Sequence, residues 1–254
     1  MFDPRVAAAS LSGESDAEWA RAAEAHVGAA FLGGIALDDP TRTAARELVA
    51  RDREEFLPDD PVAFVDRQLG ALDDAPLRPG FNVRAASPEP VGEVAVVCRR
   101  HGAMLEVNAH CRQDEMCAVG AGEALLRDPD RLCGQVRAAA DAGATVSVKV
   151  RTEVAGVDLP ELAGRVSAAG ADAVHVDAMD SEAVVADVVA AVPDDCFVVA
   201  NNGVRDAATV REYLDYGADA VSVGRPSDDP AVLERVRRAT AEWFQGEERT
   251  EARP

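Results

Sequence analysis

The 254-residue sequence predicts a single-domain (β/α)8 barrel, and three observations lead there. Eight short β-rich runs alternate with amphipathic helical stretches, which at this length is the arithmetic of eight βα units. The runs are apolar with little visible alternation, as strands of a parallel sheet buried on both faces are. Several helical stretches end in glycine immediately before the next strand (Gly143, Gly170 and Gly217), the residue that closes a helix in the left-handed conformation. A doubly wound open sheet is the competing fold. It is disfavoured because no Gly-rich dinucleotide fingerprint comes after the first strand.

The expected strands are 5–10, 29–35, 81–85, 104–108, 145–150, 173–176, 196–200 and 220–223. Between them, helical periodicity covers 17–26, 129–142, 159–169, 181–192, 206–216 and 230–244. The repeated Ala-Gly-Ala-Asp-Ala-Val (169–174) and Tyr-Gly-Ala-Asp-Ala-Val (216–221) mark equivalent helix-to-strand turns in two successive units. Residues 38–79 fit the alternation least and read as a helical excursion covering one side of the barrel. The barrel domain is expected to span 1–244, with 245–254 a disordered tail.

Composition bounds the chemistry. The net charge is −20, from 46 acidic and 26 basic residues, with 4% aromatics. Arginine has replaced lysine almost everywhere. This is the pattern of a salt-adapted, halophilic surface, because molar salt shortens the Debye length to about 3 Å and screens the self-repulsion. Such a charge counts against unaided nucleic-acid binding. No apolar stretch is long enough to span a bilayer and no secretory leader opens the chain, so a soluble, cytoplasmic protein with no membrane partner is expected. Five cysteines without CxxC spacing indicate thiols rather than a disulfide framework or a zinc site.

The only lysine, Lys149, stands inside the apolar run Thr145-Val-Ser-Val-Lys-Val-Arg151. A lysine near a strand end commonly snorkels to solvent. Here every other basic position holds arginine, which favours an ammonium retained for use, facing a pocket or an anionic partner. The other strand ends on the carboxyl side are also polar: Asn108, His110 and Cys111; Arg151; His175 and Asp177; Asn201, Asn202 and Gly203; Gly224 and Arg225. Barrel active sites form there, and the loops after strands seven and eight often bind phosphate. Asn201-Asn-Gly203 offers a turn with free amides, and Gly224-Arg225 a close backbone approach beside a bidentate cation. Cys111 falls in a polar loop where it can act as an acid or a nucleophile. Cys98, Cys133 and Cys196 fall in element interiors, and Cys117 is a lesser candidate. Without an assignable third group, a Cys–His hydrolase ranks low.

These residues together resemble the tRNA-dihydrouridine synthase family of flavin-dependent barrel reductases. The family's Asn-x-Gly-Cys-Pro segment, with the glycine, the Leu-Leu pair and the Pro-Asp beyond it, reads here as Asn108-Ala-His-Cys111, Gly122, Ala124-Leu-Leu126 and Pro129-Asp130, without a gap. Its Lys-x-Arg-Thr strand is Lys149-Val-Arg-Thr152, its Asn-Gly turn Asn201-Asn-Gly203, its Gly-Arg Gly224-Arg225, and its opening Gly-x-Thr-Asp Gly13-Glu-Ser-Asp16. The chain departs from the pattern at His110 and Arg112, which flank Cys111, and at Arg84 and Asp177, where the family has Gln and His. The family's C-terminal tRNA-gripping helical domain has no counterpart in this sequence.

The resemblance implies FMN as cofactor, with Lys149 near the flavin N1/O2 edge and His175, Asn201, Asn202, Gly203, Gly224 and Arg225 as further cofactor-binding residues. It implies Cys111 as the acid that protonates C5 of a uracil-like ring, Asn108 and Arg151 as substrate-binding residues, and a small-molecule reductant such as NADPH. tRNA is the family's substrate. The net charge and the missing domain make a free pyrimidine, as in dihydroorotate-type dehydrogenases, the alternative. A flavin-free barrel acting as a binding or accessory protein is the third reading.

Overall fold

A computed structural model of the chain describes the backbone of residues 1–251 and the side chains of residues 1–246. Eight parallel strands close in chain order, β1 pairing with β8. They are β1 (Val6–Ala8), β2 (Ala29–Ala36), β3 (Arg78–Arg84), β4 (Met104–Asn108), β5 (Thr145–Arg151), β6 (Ala173–Asp177), β7 (Phe197–Asn201) and β8 (Ala220–Val223). The expected (β/α)8 barrel is the observed fold.

The helices are α1 (Ala17–Ala23), α2 (Asp39–Val49), α3 (Pro61–Gly70), α4 (Glu89–Arg100), α5 (Asp114–Ala118), α6 (Pro129–Asp141), α7 (Leu159–Ala168), α8 (Val184–Ala191), α9 (Ala207–Asp215) and α10 (Pro230–Glu251). Aspartates start six of them: Asp16, Asp38, Asp60, Asp128, Asp158 and Asp206 each accept a first-turn backbone N–H. Such a cap contributes about 1 kcal/mol and places acid against the positive end of the helix. Gly143, Gly170 and Gly217 sit at positive φ, as expected of helix-closing glycines. The 38–79 excursion contains α2, α3 and an irregular link between them. The tail expected from Gln245 is helical as far as Glu251, because Glu and Arg at 247–249 continue a good helix-forming run, while residues 252–254 lie outside the described residues.

Outside the bulge of β2 between Gly33 and Ile35, side chains alternate along the strands. Leu105, Val107, Val146, Val148, Val150, Val174, Val176 and Val198 point outward into one core against the helices. The inner face is layered. At the amino end Phe2, Ala7, Ala29, Phe31, Met104, Val199 and Ala220 form an apolar plug. Above it the layer is polar, with Asn82, Glu106, Ser147, His175 and Ser222 all at 0% exposure. The carboxyl ends of the strands then open into a cavity.

Candidate active site at the barrel mouth

The polar layer is one hydrogen-bonded chain. The Asn201 side-chain amide donates to Ser222 Oγ (2.6 Å), and Ser222 Oγ meets His175 Nε2 (2.7 Å). His175 Nδ1 meets Glu106 Oε2 (2.7 Å), which also accepts from Ser147 Oγ (3.2 Å). Asn82 Nδ2 donates to Glu106 Oε1 (2.7 Å), and Asn108 Nδ2 donates to Asn82 Oδ1 (2.8 Å). Finally Asn108 Oδ1 accepts the amides of Cys111 (3.0 Å) and His110 (3.3 Å). A continuous path therefore joins the β7 end to the Cys111 loop beneath the cavity floor.

The charges in this path follow from burial. Desolvation lowers His175, so its ring is neutral at pH 7; the network assigns it Nδ1–H donating to Glu106 and Nε2 accepting from Ser222. Desolvation would raise the Glu106 carboxyl, yet the hydrogen bonds from His175 and Asn82 and the nearby Lys149 ammonium hold it below its ordinary value. With His175 neutral, Lys149 is the cation that faces this buried carboxylate. Burial lowers the Lys149 ammonium from its ordinary value, and Glu106 and Asp177 oppose that shift. Lys149 is 3% exposed, and among the described residues no carboxylate oxygen lies within 4 Å of its Nζ.

Above this floor is a cavity of about 880 Å³. Lys149 and Arg151 (β5), Asp177 (β6), Asn201-Asn-Gly203 (after β7) and Gly224-Arg225 (after β8) line one part of its wall. Cys111, flanked by His110 and Arg112, lines another. The His110 imidazole is held well below its ordinary value by desolvation, with Lys149 and Arg84 pushing the same way, so it is neutral at pH 7.

Cys111 is fixed by its backbone. Its carbonyl accepts from Glu123 N (2.8 Å), and Gly122 packs so closely that a Cβ there would lie 2.2 Å from that oxygen. Gly122 also has φ +61°, so glycine is required twice over. Cys117 Sγ approaches the same carbonyl at 3.6 Å. The turn after β7 has Asn202 at φ 105° and Gly203 at φ 65°, braced by Tyr213, whose hydroxyl donates to the Asn202 carbonyl (2.9 Å).

Two buried arginines complete the wall. Arg84 pairs with Glu55 of the α2–α3 link at 2.7 Å, both side chains at most 3% exposed, and also bonds Ser12; this draws the excursion over the mouth. Arg151 donates to Glu123 (2.8 Å) and contacts Met179 Sδ (2.8 Å). The Nε of each is buried and has no hydrogen-bond partner among the described residues.

The family model described as dihydrouridine synthase (Dus) matches residues 80–252, from β3 through α10. The chain belongs to the dihydrouridine synthase family. A protein of Methanocaldococcus jannaschii described as uncharacterized is 24% identical over 237 residues, covering 88% of this chain and 89% of its own. A probable tRNA-dihydrouridine synthase of Rhizobium leguminosarum bv. phaseoli is 28% identical over 152 residues. That match covers 53% of this chain and 46% of the relative, so it spans about half of each. Among solved structures, a ligand-free DHODH from Eimeria tenella superposes with a TM-score of 0.71 at 14% identity, covering 95% of this chain and 84% of that one. A chain of a tryptophan synthase complex from Pyrococcus furiosus gives 0.57 at 14% identity, covering 96% and 97%. At these identities the structural matches speak for the fold alone.

Within this family frame, eight of the ten residues singled out in the sequence line the cavity: Cys111, Lys149, Arg151, Asn201, Asn202, Gly203, Gly224 and Arg225. Two do not. His175, expected at the cofactor, lies one layer deeper, because it precedes the end of β6 by two residues and both ring nitrogens are engaged below the floor. Asn108, expected on the substrate, uses its amide nitrogen on Asn82 and its oxygen on the Cys111 loop. It positions Cys111 and does not reach the cavity wall. Sequence reasoning missed the Glu106–Ser222 layer and the Arg84–Glu55 pair. The first was visible as period-two polarity in Met104-Leu-Glu-Val-Asn108 and Thr145-Val-Ser-Val-Lys149; the second joins residues 29 positions apart through an irregular link and had no local signal.

Proposed function

We propose that this chain is a flavin-dependent reductase of the dihydrouridine-synthase type, acting on the C5–C6 double bond of a uracil-like ring. The observation that carries the reading is that Cys111 and Lys149, on the motifs that place the chain in the family, line one mouth cavity.

The donor set fits FMN. Lys149 offers a desolvated cation with no ion-pair partner among the described residues, suited to an anionic heterocycle edge. Arg151 adds an unmet buried Nε–H. Arg225, the backbone at Gly224, where nothing lies within 4 Å of a built Cβ, and the Asn202-Gly203 turn suit a phosphate. Asp177 is the one acid on this arc and suits the hydroxyls of a polyol chain, which donate hydrogen bonds.

FMN, when bound, supplies the hydride taken by C6 of the ring. The protein's own part is positional and protic. Cys111 gives a proton to C5 from a thiol held in place by Asn108, Gly122 and Glu123. Arg151, steadied by Glu123, is poised to donate to a ring carbonyl.

The test is a visible absorption spectrum of the protein purified in multimolar salt, repeated after adding FMN and dialysing. A retained flavin band is expected. A folded, colourless protein that ignores FMN would overturn the reading.

A further inference from the structure

The charge at the mouth opposes the charge of the chain. Seven of the 26 basic residues line the cavity, against three of the 46 acidic ones. Glu55 and Arg84 cancel, and Arg151 and Arg205 are paired with Glu123 and Asp206, which leaves Arg53, Arg112, Lys149 and Arg225 against Glu14 and Asp177. In a molecule of net charge −20, this is the place where positive potential collects, and low-dielectric walls intensify it.

The cations form two groups on opposite arcs. Arg205 and Arg225 come after β7 and β8, where the flavin phosphate is placed. Arg53 and Arg112 belong to the other arc. In the closed strand order β4, which Arg112 follows, lies across the barrel from β8. The α2–α3 link that carries Arg53 is tied to this same side by the Arg84–Glu55 and Arg51–Glu115 pairs. Arg53 and Arg112 are both exposed, and among the described residues neither makes a side-chain hydrogen bond or ion pair. Arg112 directly follows Cys111, and both line the same cavity.

One phosphate on the β7–β8 arc leaves Arg112 to a ligand on this second arc, where Arg53 is partly offset by Glu115 and Glu14 also lines the cavity. We infer that the substrate is a small pyrimidine carrying its own anionic group, a phosphate or a carboxylate, which Arg112 and Arg53 bind while Cys111 faces the ring. The inference rests on the flavin reading of the same cavity. A polynucleotide answers the arginines equally well at the mouth, but its flanking phosphates would meet the acidic exterior. A short anion meets only the cationic rim.

The experiment uses the flavin-loaded protein, reduced anaerobically with dithionite and mixed with uridine, uridine monophosphate, orotate or a tRNA transcript. Reoxidation of the flavin is monitored by absorbance, each turnover moving a hydride to C6 and a proton to C5, two electrons and two protons in all. At equal subsaturating concentration, the monophosphate or orotate is expected to react at least about tenfold faster than uridine, the effect of one charge-assisted contact. A preference for the monophosphate identifies a phosphate site, and a preference for orotate a carboxylate site. Arg112→Gln with Arg53→Gln should shrink that preference while leaving the flavin content intact. Equal rates for uridine and the charged pyrimidines, a tRNA that outpaces both, or a reduced flavin that no anionic pyrimidine reoxidises would overturn the inference. A protein that holds no flavin at all would instead sink the reading beneath it.

Discussion

Replacing Glu106 by glutamine tests the buried charge beneath the active site. The carboxylate is fully buried and accepts from His175, Ser147 and Asn82. Glutamine keeps the shape but brings an NH2 where one of these donors already points. It also removes the negative charge that offsets burial of Lys149. A buried donor left unmet costs about 1–3 kcal/mol. Linkage gives the same sign: a carboxyl held below its ordinary value in the folded protein stabilises the fold at pH values above that ordinary value. In a chain of this size about 3 kcal/mol lowers the melting temperature by roughly 6–12 °C. The sign in pH comes from the depressed value. The Glu106 contribution is present above the unfolded pKa and is lost as pH falls toward about 2. The wild-type minus Glu106→Gln difference should therefore be largest near neutrality and shrink in acid. Thermal unfolding by circular dichroism at fixed salt, repeated down the pH scale, measures it. A Glu106→Gln protein that melts within about 2 °C of wild type at pH 7 would refute a buried, ionised Glu106.

Cys111→Ala should abolish ring reduction by the reduced protein while leaving flavin content and melting temperature near wild type, read by the same reoxidation assay. Gly122→Ala should destabilise by at least about 2 kcal/mol, because its Cβ would meet the Cys111 carbonyl in a left-handed conformation; chemical denaturation checks this. Lys149→Ala should lower flavin retention on dialysis and also lower the melting temperature, since it leaves the buried Glu106 carboxylate without its facing cation. With a net charge of −20, the melting temperature should rise as potassium chloride is raised from about 0.1 M toward about 2 M, and a flat profile would show that self-repulsion is not the governing stress.

How far the sequence reveals this site depends on which physical signal each residue carries. Lys149 was legible because its rarity and its apolar flanks make burial without purpose costly. The barrel itself was legible because helix-closing glycines and the repeated Gly-Ala-Asp-Ala-Val turn report local backbone geometry. Depth inside the barrel was not. Whether His175 faces the cavity or lies under it depends on how β6 is staggered against β5 and β7, and the pairing of Lys149 with His175 and of Arg151 with Asp177 is a property of the closed sheet. Glu106 shows the same limit. Its alternation with Leu105 and Val107 marks it as inward-facing, but its partners come from β3, β5 and β6.

The acidic composition also decides where an anion can bind on the β7–β8 side. Helices of this fold start at the mouth end of the strands, so their first-turn amides are the natural anion donors there. At α9 those amides are already taken: Asp206 accepts from Ala208 N (3.1 Å) and Thr209 N (3.0 Å), and its charge would repel a phosphate. The short 3-10 turn Arg225–Asp228 after β8 begins on Gly224 with no side-chain cap. On the flavin reading proposed above, the contrast would direct a phosphate away from the start of α9 and toward Gly224, Arg225 and the Asn202-Gly203 turn. An aspartate that stabilises its own helix would thereby exclude one anion position, and on the same reading the arginine of the neighbouring loop would supply the other.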